Sequence, residues 1–336
     1  MIGPMTAPGP TPHSAQGPTV HSAAHPTAHA TRRVHVIGSI NVDTILAMPT
    51  FPAPGTTVIA TDSRQSLGGK GAGQAIAAAR FGAHAGLTGS VGADAEGELA
   101  RAVLNDQGVT SSLVRASSLP TGRAFVYVDS GAENEIVVDP GANSDLRALT
   151  DADREAILAA DVVLTQLEAG CAIAFEAIEF AADNAVTVIL NAAPARDLPA
   201  QVLERVDFLI VNEPEATALS GDADAVSAGE RLAEAAGTVL VTLGARGGRL
   251  HRRGTTPQSF PALPVTPIDT TGAGDTACGV FAAAIAQGWD PSESFRVALV
   301  AGSIATTARG NVPSIPDRDR ILATLPPVRG EAVRLP

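Results

Sequence analysis

The sequence has little cysteine, little positive charge and no long apolar run, and each shortage excludes a class of protein. Its two cysteines, Cys171 and Cys278, lie far apart in segments that read as helical. No disulfide framework is expected, and a reducing, cytoplasmic compartment fits. Lys and Arg together number 23 against 35 Asp and Glu, a formal net charge of -12. A phosphate backbone or an anionic membrane needs a basic face, so neither nucleic acid nor membrane is expected as a partner, and a small ligand is. No stretch approaches the roughly 18 uninterrupted apolar residues of a membrane span. Residues 1–33, rich in Pro, Ala, Thr and His, lack both hydrophobic periodicity and the apolar segment of a signal peptide, and read as a disordered tail. The tail's His13, His21, His25 and His29 are irregularly spaced, interrupted by proline and unaccompanied by Cys or carboxylates, so the metal-binding reading of a histidine cluster is set aside.

What is present is apolar residue in abundance, 45% of the chain, enough for a large core in one sizeable α/β domain or two small ones. Beyond the tail, short β-branched runs alternate with longer Ala-rich amphipathic stretches, the pattern of βα units in a parallel sheet. Strands are predicted at 34–37, 162–165, 186–190, 208–211 and 239–242. Helices are predicted at 73–80, 96–107, 172–184, 213–219, 228–236, 276–287 and 292–307. Two regions break the rhythm, about 44–67 and 121–139, and read as strands around turns. They predict a small separate sheet over a domain spanning 34–330, either a lid that excludes water from the chemistry or an ordinary edge hairpin.

The strongest local signal is Asp269-Thr270-Thr271-Gly272-Ala273-Gly274-Asp275, which runs into an apolar helical face. Unpaired backbone N–H groups at a helix start suit phosphate oxygens or charge developing in phosphoryl transfer. An aspartate there would repel phosphate but can accept the proton of an attacking hydroxyl. The simpler alternative is that Asp275 only caps the helix. Gly272-x-Gly274-x-x-Ala277 also matches the loose glycine pattern of dinucleotide-binding folds, but it lies near the C-terminus rather than in the first βα turn, which disfavours an oxidoreductase.

A second glycine run, Gly68-Gly69-Lys70-Gly71-Ala72-Gly73, also enters a helix. It is not a phosphate-binding Walker loop, because Gly rather than Ser or Thr follows Lys70. Lys70 is the only lysine in the chain, which suggests that its compact point charge matters. Asn41 and Asp43 follow the first strand and alternate onto one side of an extended segment. Glu168, Asn212 and Glu215, and the turn Thr242-Leu243-Gly244-Ala245-Arg246-Gly247, follow later strands. Open parallel sheets bind ligands at such strand ends.

Together with Asn191-Ala-Ala-Pro-Ala195, these segments resemble, in order from about Val34 to Pro316, the ribokinase-like or PfkB-type carbohydrate kinases. The resemblance implies a doubly wound, mostly parallel α/β sheet with helices on both faces, plus a β-sheet lid serving as the clasp of a homodimer. It implies transfer of the ATP γ-phosphate to a sugar hydroxymethyl group, with D-ribose to ribose 5-phosphate as the leading expectation. Deoxyribose, a hexose or a nucleoside are alternative acceptors, and a non-catalytic sugar-binding regulator is the alternative from another class. On this model Asp275 is the base and Gly272, Ala273 and Gly274 form the anion hole. Asn41, Asp43, Gly69, Lys70, Gly73, Glu168 and Asp275 bind sugar. Asn212, Thr242, Gly244, Ala245, Arg246, Gly247 and Gly274 contact ATP, and Glu215 organises Mg²⁺ through water. An activating K⁺ is implied at the Asp269 side chain, the carbonyls of Thr271, Ala305, Ala308 and Gly310, and the Ser314 hydroxyl. One position departs from the family pattern: Gly73 stands where the motif normally has Asn. Loss of such an amide contact to a sugar costs about 1 kcal/mol or more, so the identity of the sugar stays open.

Overall fold

The computed structural model describes residues 32–131 and 133–325. All of the expected tail except Arg32 and Arg33 lies outside the described residues, as do 326–330 at the far end of the expected domain.

Nine strands form the main sheet: β1 (Arg33–Ile37), β4 (His84–Gly92), β5 (Val114–Ser117), β8 (Val162–Gln166), β9 (Thr187–Asn191), β10 (Phe208–Asn212), β11 (Thr238–Thr242), β12 (Gly248–Arg252) and β13 (Gln258–Phe260). Their spatial order is β13-β12-β11-β10-β9-β8-β1-β4-β5. All neighbours are parallel except the antiparallel pairs at the β12 and β13 edge. The chain winds outward from β1 to β4 and β5, then returns to β8 on the other side of β1. That reversal is a topological switch point, where strand ends open a crevice.

Eleven helices are described: α1 (Lys70–Arg80), α2 (Ala95–Asp106), α3 (Asp151–Leu158), α4 (Cys171–Asp183), α5 (Ala200–Leu203), α6 (Glu213–Ser220), α7 (Ala225–Ala233), α8 (Ala273–Ala286), α9 (Pro291–Ala305), α10 (Asn311–Ser314) and α11 (Arg318–Thr324). Strand alternation divides them between two cores. Val34, Val36, Leu164, Ile189, Ile210 and Leu240 pack with α1, α2, α8 and α9. Ile37, Val163, Val188, Leu190, Leu209, Val211 and Val239 pack with α4, α6 and α7 on the other face. Period-two side chains on a sheet covered on both sides give the near-continuous apolar runs by which these strands are legible.

The second sheet has the order β3-β2-β6-β7, from β2 (Asn41–Ala47), β3 (Asp62–Gly68), β6 (Gly122–Val128) and β7 (Asn134–Asp139). It occupies the two regions that broke the βα rhythm, although β2 begins at Asn41, so Asn41 and Asp43 belong to this sheet. Strand β4 carries little sequence signal because it contains three glycines and no isoleucine. A β-carbon on its Gly89 would lie 2.6 Å from Ile40 Cδ1, so the close approach of Ile40 takes the space that a β-branched residue would fill.

Candidate active site

Helix α8 starts on Gly272, whose φ of 73° is the left-handed region that glycine tolerates, and Asp275 is its third residue. Asp275 is therefore not the helix cap. Thr276 N–H bonds the Gly272 carbonyl at 2.8 Å, and Ala273 N–H makes a long 3.3 Å bond to Thr270 O. The N–H groups of Gly272, Gly274 and Asp275 have no partner among the described residues. Of the expected anion-hole residues, Gly272 and Gly274 have unengaged N–H groups, as does Asp275, while Ala273 makes the long turn bond. These amides, at the positive end of a fourteen-residue helix, favour negative charge at this turn.

Helix α1 begins at Lys70, so the glycine run from Lys70 on is the helix's first turn rather than a loop before it. Its cap, Gly69, has φ 88°, and a β-carbon on Gly71 would lie 2.6 Å from the carbonyl carbon of Gly38. Only glycine lets α1 cross the end of β1 this closely. Gln74, which the sequence reading left without a role, follows on the buried side. Its Nε2 donates to Asp275 Oδ1 at 2.9 Å and to Asn191 Oδ1 at 3.0 Å, and its Oε1 accepts from Gln166 Nε2 at 2.6 Å. The motif that carries Lys70 thereby fixes the orientation of Asp275.

Four charged groups converge here. Burial raises the Asp275 carboxyl above the ordinary aspartate range, against the opposing pull of Lys70 and the Gln74 bond. Asp275 in turn raises the Lys70 ammonium above its usual value. Burial, with Glu168 and Asp275 nearby, pushes Asp43 from the ordinary 3.8 up to about 7. Glu168 Oε2 accepts from the Ser39 hydroxyl and from Lys70 N–H, the latter at 3.0 Å. Asn41 is less free than expected, because its Oδ1 accepts from Asn143 Nδ2 at 2.8 Å. Asn143 also brackets Ile40 through its N–H and carbonyl. No motif pointed to Asn143, since its partners lie about a hundred residues away.

Two clefts meet at the Asp269–Asp275 loop. One, of about 550 Å³, is lined by the inner face of the small sheet, Asp43, Ile45, Ala47, Arg64, Ser66 and Val126 among them, and by Asp269, Thr271, Gly310 and Asn311. The other, of about 320 Å³, is lined by Thr242, Gly244, Ala245, Gly247, Ala273 and Gly274, with Leu263, Val265, Ala277 and Leu299 supplying apolar walls. Pro267 and Thr270 belong to both. A β-carbon on Gly274 would meet nothing within 4 Å, leaving its amide open to a ligand. A larger cleft of about 700 Å³ opens at the N-terminal ends of β9, β10 and β11, far from every residue above.

Several expected contact residues do not line either cleft. Arg246 is exposed, pairs with Glu213 and does not line the second cleft, because the turn at Gly244–Arg246 carries it outward. Asn212 and Glu215 form a reciprocal cap on α6, at 2.8 and 2.9 Å. The cap engages Glu215 Oε2, and burial raises this carboxyl above the usual glutamate range. Gly73 offers no side chain, and the nearest polar atoms to its absent β-carbon belong to Asn311.

The monovalent-cation candidates are brought close by hydrogen bonds. Asp269 Oδ1 accepts from Thr271 N–H and Oδ2 from Gly310 N–H, both at 2.9 Å, and Asp269 N–H bonds Thr306 O at the end of α9. Burial works to raise the Asp269 carboxyl, but the Gly310 and Thr271 bonds outweigh it and hold it below the usual range. Ala305, at the end of α9, accepts from Ala308 N–H at 3.4 Å, and Ser314 Oγ donates to Asn311 O at 2.8 Å, leaving its oxygen able to accept. A charged carboxylate beside the carbonyl end of a helix is a donor set that suits a hard cation.

The described fold and motifs have close counterparts. Residues 31–318 match the model of the pfkB family carbohydrate kinases. The chain is 36% identical over 298 residues to a ribokinase of Haemophilus influenzae, covering 86% of this chain and 97% of that protein. It is 30% identical over 293 residues to a deoxyribokinase of Salmonella typhi, covering 84% and 95%. The structure of Arabidopsis thaliana ribokinase complexed with ribose and ATP superposes with a TM-score of 0.82 at 32% identity, covering 88% of this chain and 99% of that one. With an aspartate on the N-terminal turn of α8, held by the glycine-run helix and flanked by two clefts, the chain belongs to the pfkB family of carbohydrate kinases.

Proposed function

We propose that the protein transfers the γ-phosphoryl group of ATP to the 5-hydroxyl of D-ribose, giving ribose 5-phosphate and ADP. The observation that carries this reading is the meeting of the two clefts at one helix N-terminus. A polar cleft with the buried Asp43 carboxyl suits a polyol, an apolar cleft ending at the open Gly274 amide suits a nucleotide, and the turn leading to Asp275 lines both. The ribokinase relatives favour ribose over the other acceptors.

Asp275 takes the proton of the sugar hydroxyl as its oxygen attacks the γ-phosphorus. Its raised pKa strengthens it as a base, and Gln74 holds one carboxylate oxygen so that the other faces the substrate. The free N–H groups of Gly272, Gly274 and Asp275 stabilise charge on the transferred group. Asp43, Glu168 and Lys70 bind the sugar, with the free amide nitrogen of Asn41 beside them. Thr242, Gly244, Ala245 and Gly247 line the ATP side. The Glu215 oxygen left free by the α6 cap, through water, and the phosphates would hold Mg²⁺, which neutralises phosphate charge. Asp269, Thr271, Ala305, Ala308, Gly310 and Ser314 would hold K⁺, whose charge steadies the anion-hole turn next to it. The small sheet acts as a lid, and its exposed edge strand β7, with Ile136, Val137 and Val138 at 56, 56 and 46% exposure, supports its use as the clasp of a homodimer.

The test is ADP release from MgATP with ribose, deoxyribose, fructose, adenosine or pseudouridine, in K⁺ and in a bulky organic cation. The highest kcat/KM is expected for ribose, with faster turnover in K⁺. Release no faster than without any acceptor overturns the assignment, and equal rates in both cations remove K⁺ from it.

A further inference from the structure

Asn311 is 4% exposed, yet its side chain makes no hydrogen bond among the described residues, and its Oδ1 is buried without a partner. It sits on the wall of the 550 Å³ cleft that also holds Asp43, whose Oδ1 is likewise buried and unpartnered. Its surroundings locate the amide tightly. A β-carbon placed on Gly73 would lie 3.3 Å from Asn311 Oδ1, 3.4 Å from Nδ2 and 3.3 Å from Asp275 Cβ. One placed on Gly272 would lie 2.2 Å from the same oxygen. The amide therefore fills the space between the glycine-run helix, the anion-hole turn and the base.

A buried amide left unpaired is a standing cost to the fold, and a native site keeps such a group where a ligand satisfies it. A primary amide both donates and accepts, which matches a sugar hydroxyl. We infer that Asn311 is a substrate-contacting residue that supplies, from α10, the sugar-binding amide that position 73 lacks. The inference rests on the sugar-kinase reading above. Gly73 and Asn311 form a size-linked pair: a side chain at 73 enters the volume of the Asn311 amide, and removing that amide opens room for one.

Four enzymes test this: the native protein, Asn311→Ala, Gly73→Asn, and the double variant, each assayed for ribose and MgATP kinetics. Asn311→Ala is expected to raise the ribose KM about tenfold while leaving the MgATP KM unchanged and kcat within about threefold, as for a lost ground-state hydrogen bond. Gly73→Asn alone is expected to weaken ribose binding, because two amides compete for one space. The double variant is expected to recover ribose KM to within about threefold of native. Should the alanine variant not fold, Asn311→Ser, which keeps a small polar group against Gly272 but withdraws the amide, is expected to raise ribose KM as well. An unchanged ribose KM in the foldable variant, or an equal disturbance of kcat and MgATP KM, overturns the inference, the latter because Asn311 would then only support the Gly272 turn. A double variant no better than Asn311→Ala overturns it too. Turnover of ribose by the native enzyme with any of these results leaves the proposed function standing; no turnover of any sugar overturns both.

Discussion

The two sheets of this molecule are built to different specifications. In the main sheet every residue of β8 is buried, and β1, β9, β10 and β11 are nearly so, because helices cover both faces. In the small sheet β3 is exposed over its first four residues, and β7 presents three consecutive apolar side chains to solvent. At the cleft, Asp43 Oδ1 and Ser66 Oγ are buried without a partner on the small sheet, with Asn311 Oδ1 opposite; the main sheet has its own unpartnered atoms, Gln166 Oε1 on β8 and both ring nitrogens of His251 on β12. The covered sheet carries stability and the rigid placement of the α8 turn. The uncovered one carries Asp43, whose carboxylate is costly to bury. The proposed site lies in the seam, with a rigid wall on one side and, on the lid reading, a wall that opens to admit substrate on the other.

The largest expected effect tests whether the chemistry belongs to the rigid wall. Asp275→Asn is expected to lower kcat by about 10³-fold with nucleotide binding retained. A kcat within tenfold of native would place the base elsewhere. The next contrast is in stability. Leu164→Ala, in fully buried β8, is expected to cost about 2–5 kcal/mol in denaturant unfolding, as a cavity that neighbours cannot fill. A loss below 1 kcal/mol would mean that the covered sheet is not the stable half.

Asp43→Asn probes the small sheet through its pH dependence. A carboxyl raised to about 7 binds its proton more tightly folded than unfolded, so stability falls as pH rises from the unfolded value near 3.8 through about 7. Removing the charge is therefore expected to raise Tm by about 5 °C at pH 8 and by less at pH 5, while ribose KM rises at least about tenfold. A Tm gain independent of pH would contradict the burial argument. The smallest effect belongs to the open edge: Val137→Ser in β7 is expected to change monomer stability by less than about 0.5 kcal/mol. Its effect, if the dimer clasp is there, appears as a weaker self-association in sedimentation.

Much of the main sheet was legible because its signal is local. Runs such as Val-Val-Leu-Thr at 162–165 and the Ala-rich faces of α4 and α8 mark buried strands and helices without reference to the rest of the chain. The polar residues at the ends of those strands, Glu168, Asn212 and Thr242 among them, supplied candidates for the site. Less visible were β4, whose Gly89 yields space to Ile40, and the start of α1, where Gly71 is helical for reasons of packing. That Arg246 pairs with Glu213 outside the cleft was not legible, because the direction of a turn residue depends on the following strand pair.

The stretch from Asp269 to Asp275 shows where the division falls. The sequence alone determined that a glycine turn leads into an apolar helix bearing an aspartate, since turn chemistry and helical periodicity involve only neighbouring residues. Only the tertiary structure decided that Asp275 is the third residue of that helix rather than its cap, that Gln74 orients it, and that Asn311 fills the place left by Gly73. Gln74 and Asp275 are 201 positions apart, and Asn311 lies still farther along the chain from Gly73. Contacts over such separations leave no periodic or local trace; they are set by how closely α1, α8 and α10 pack, and hence by the three-dimensional fold.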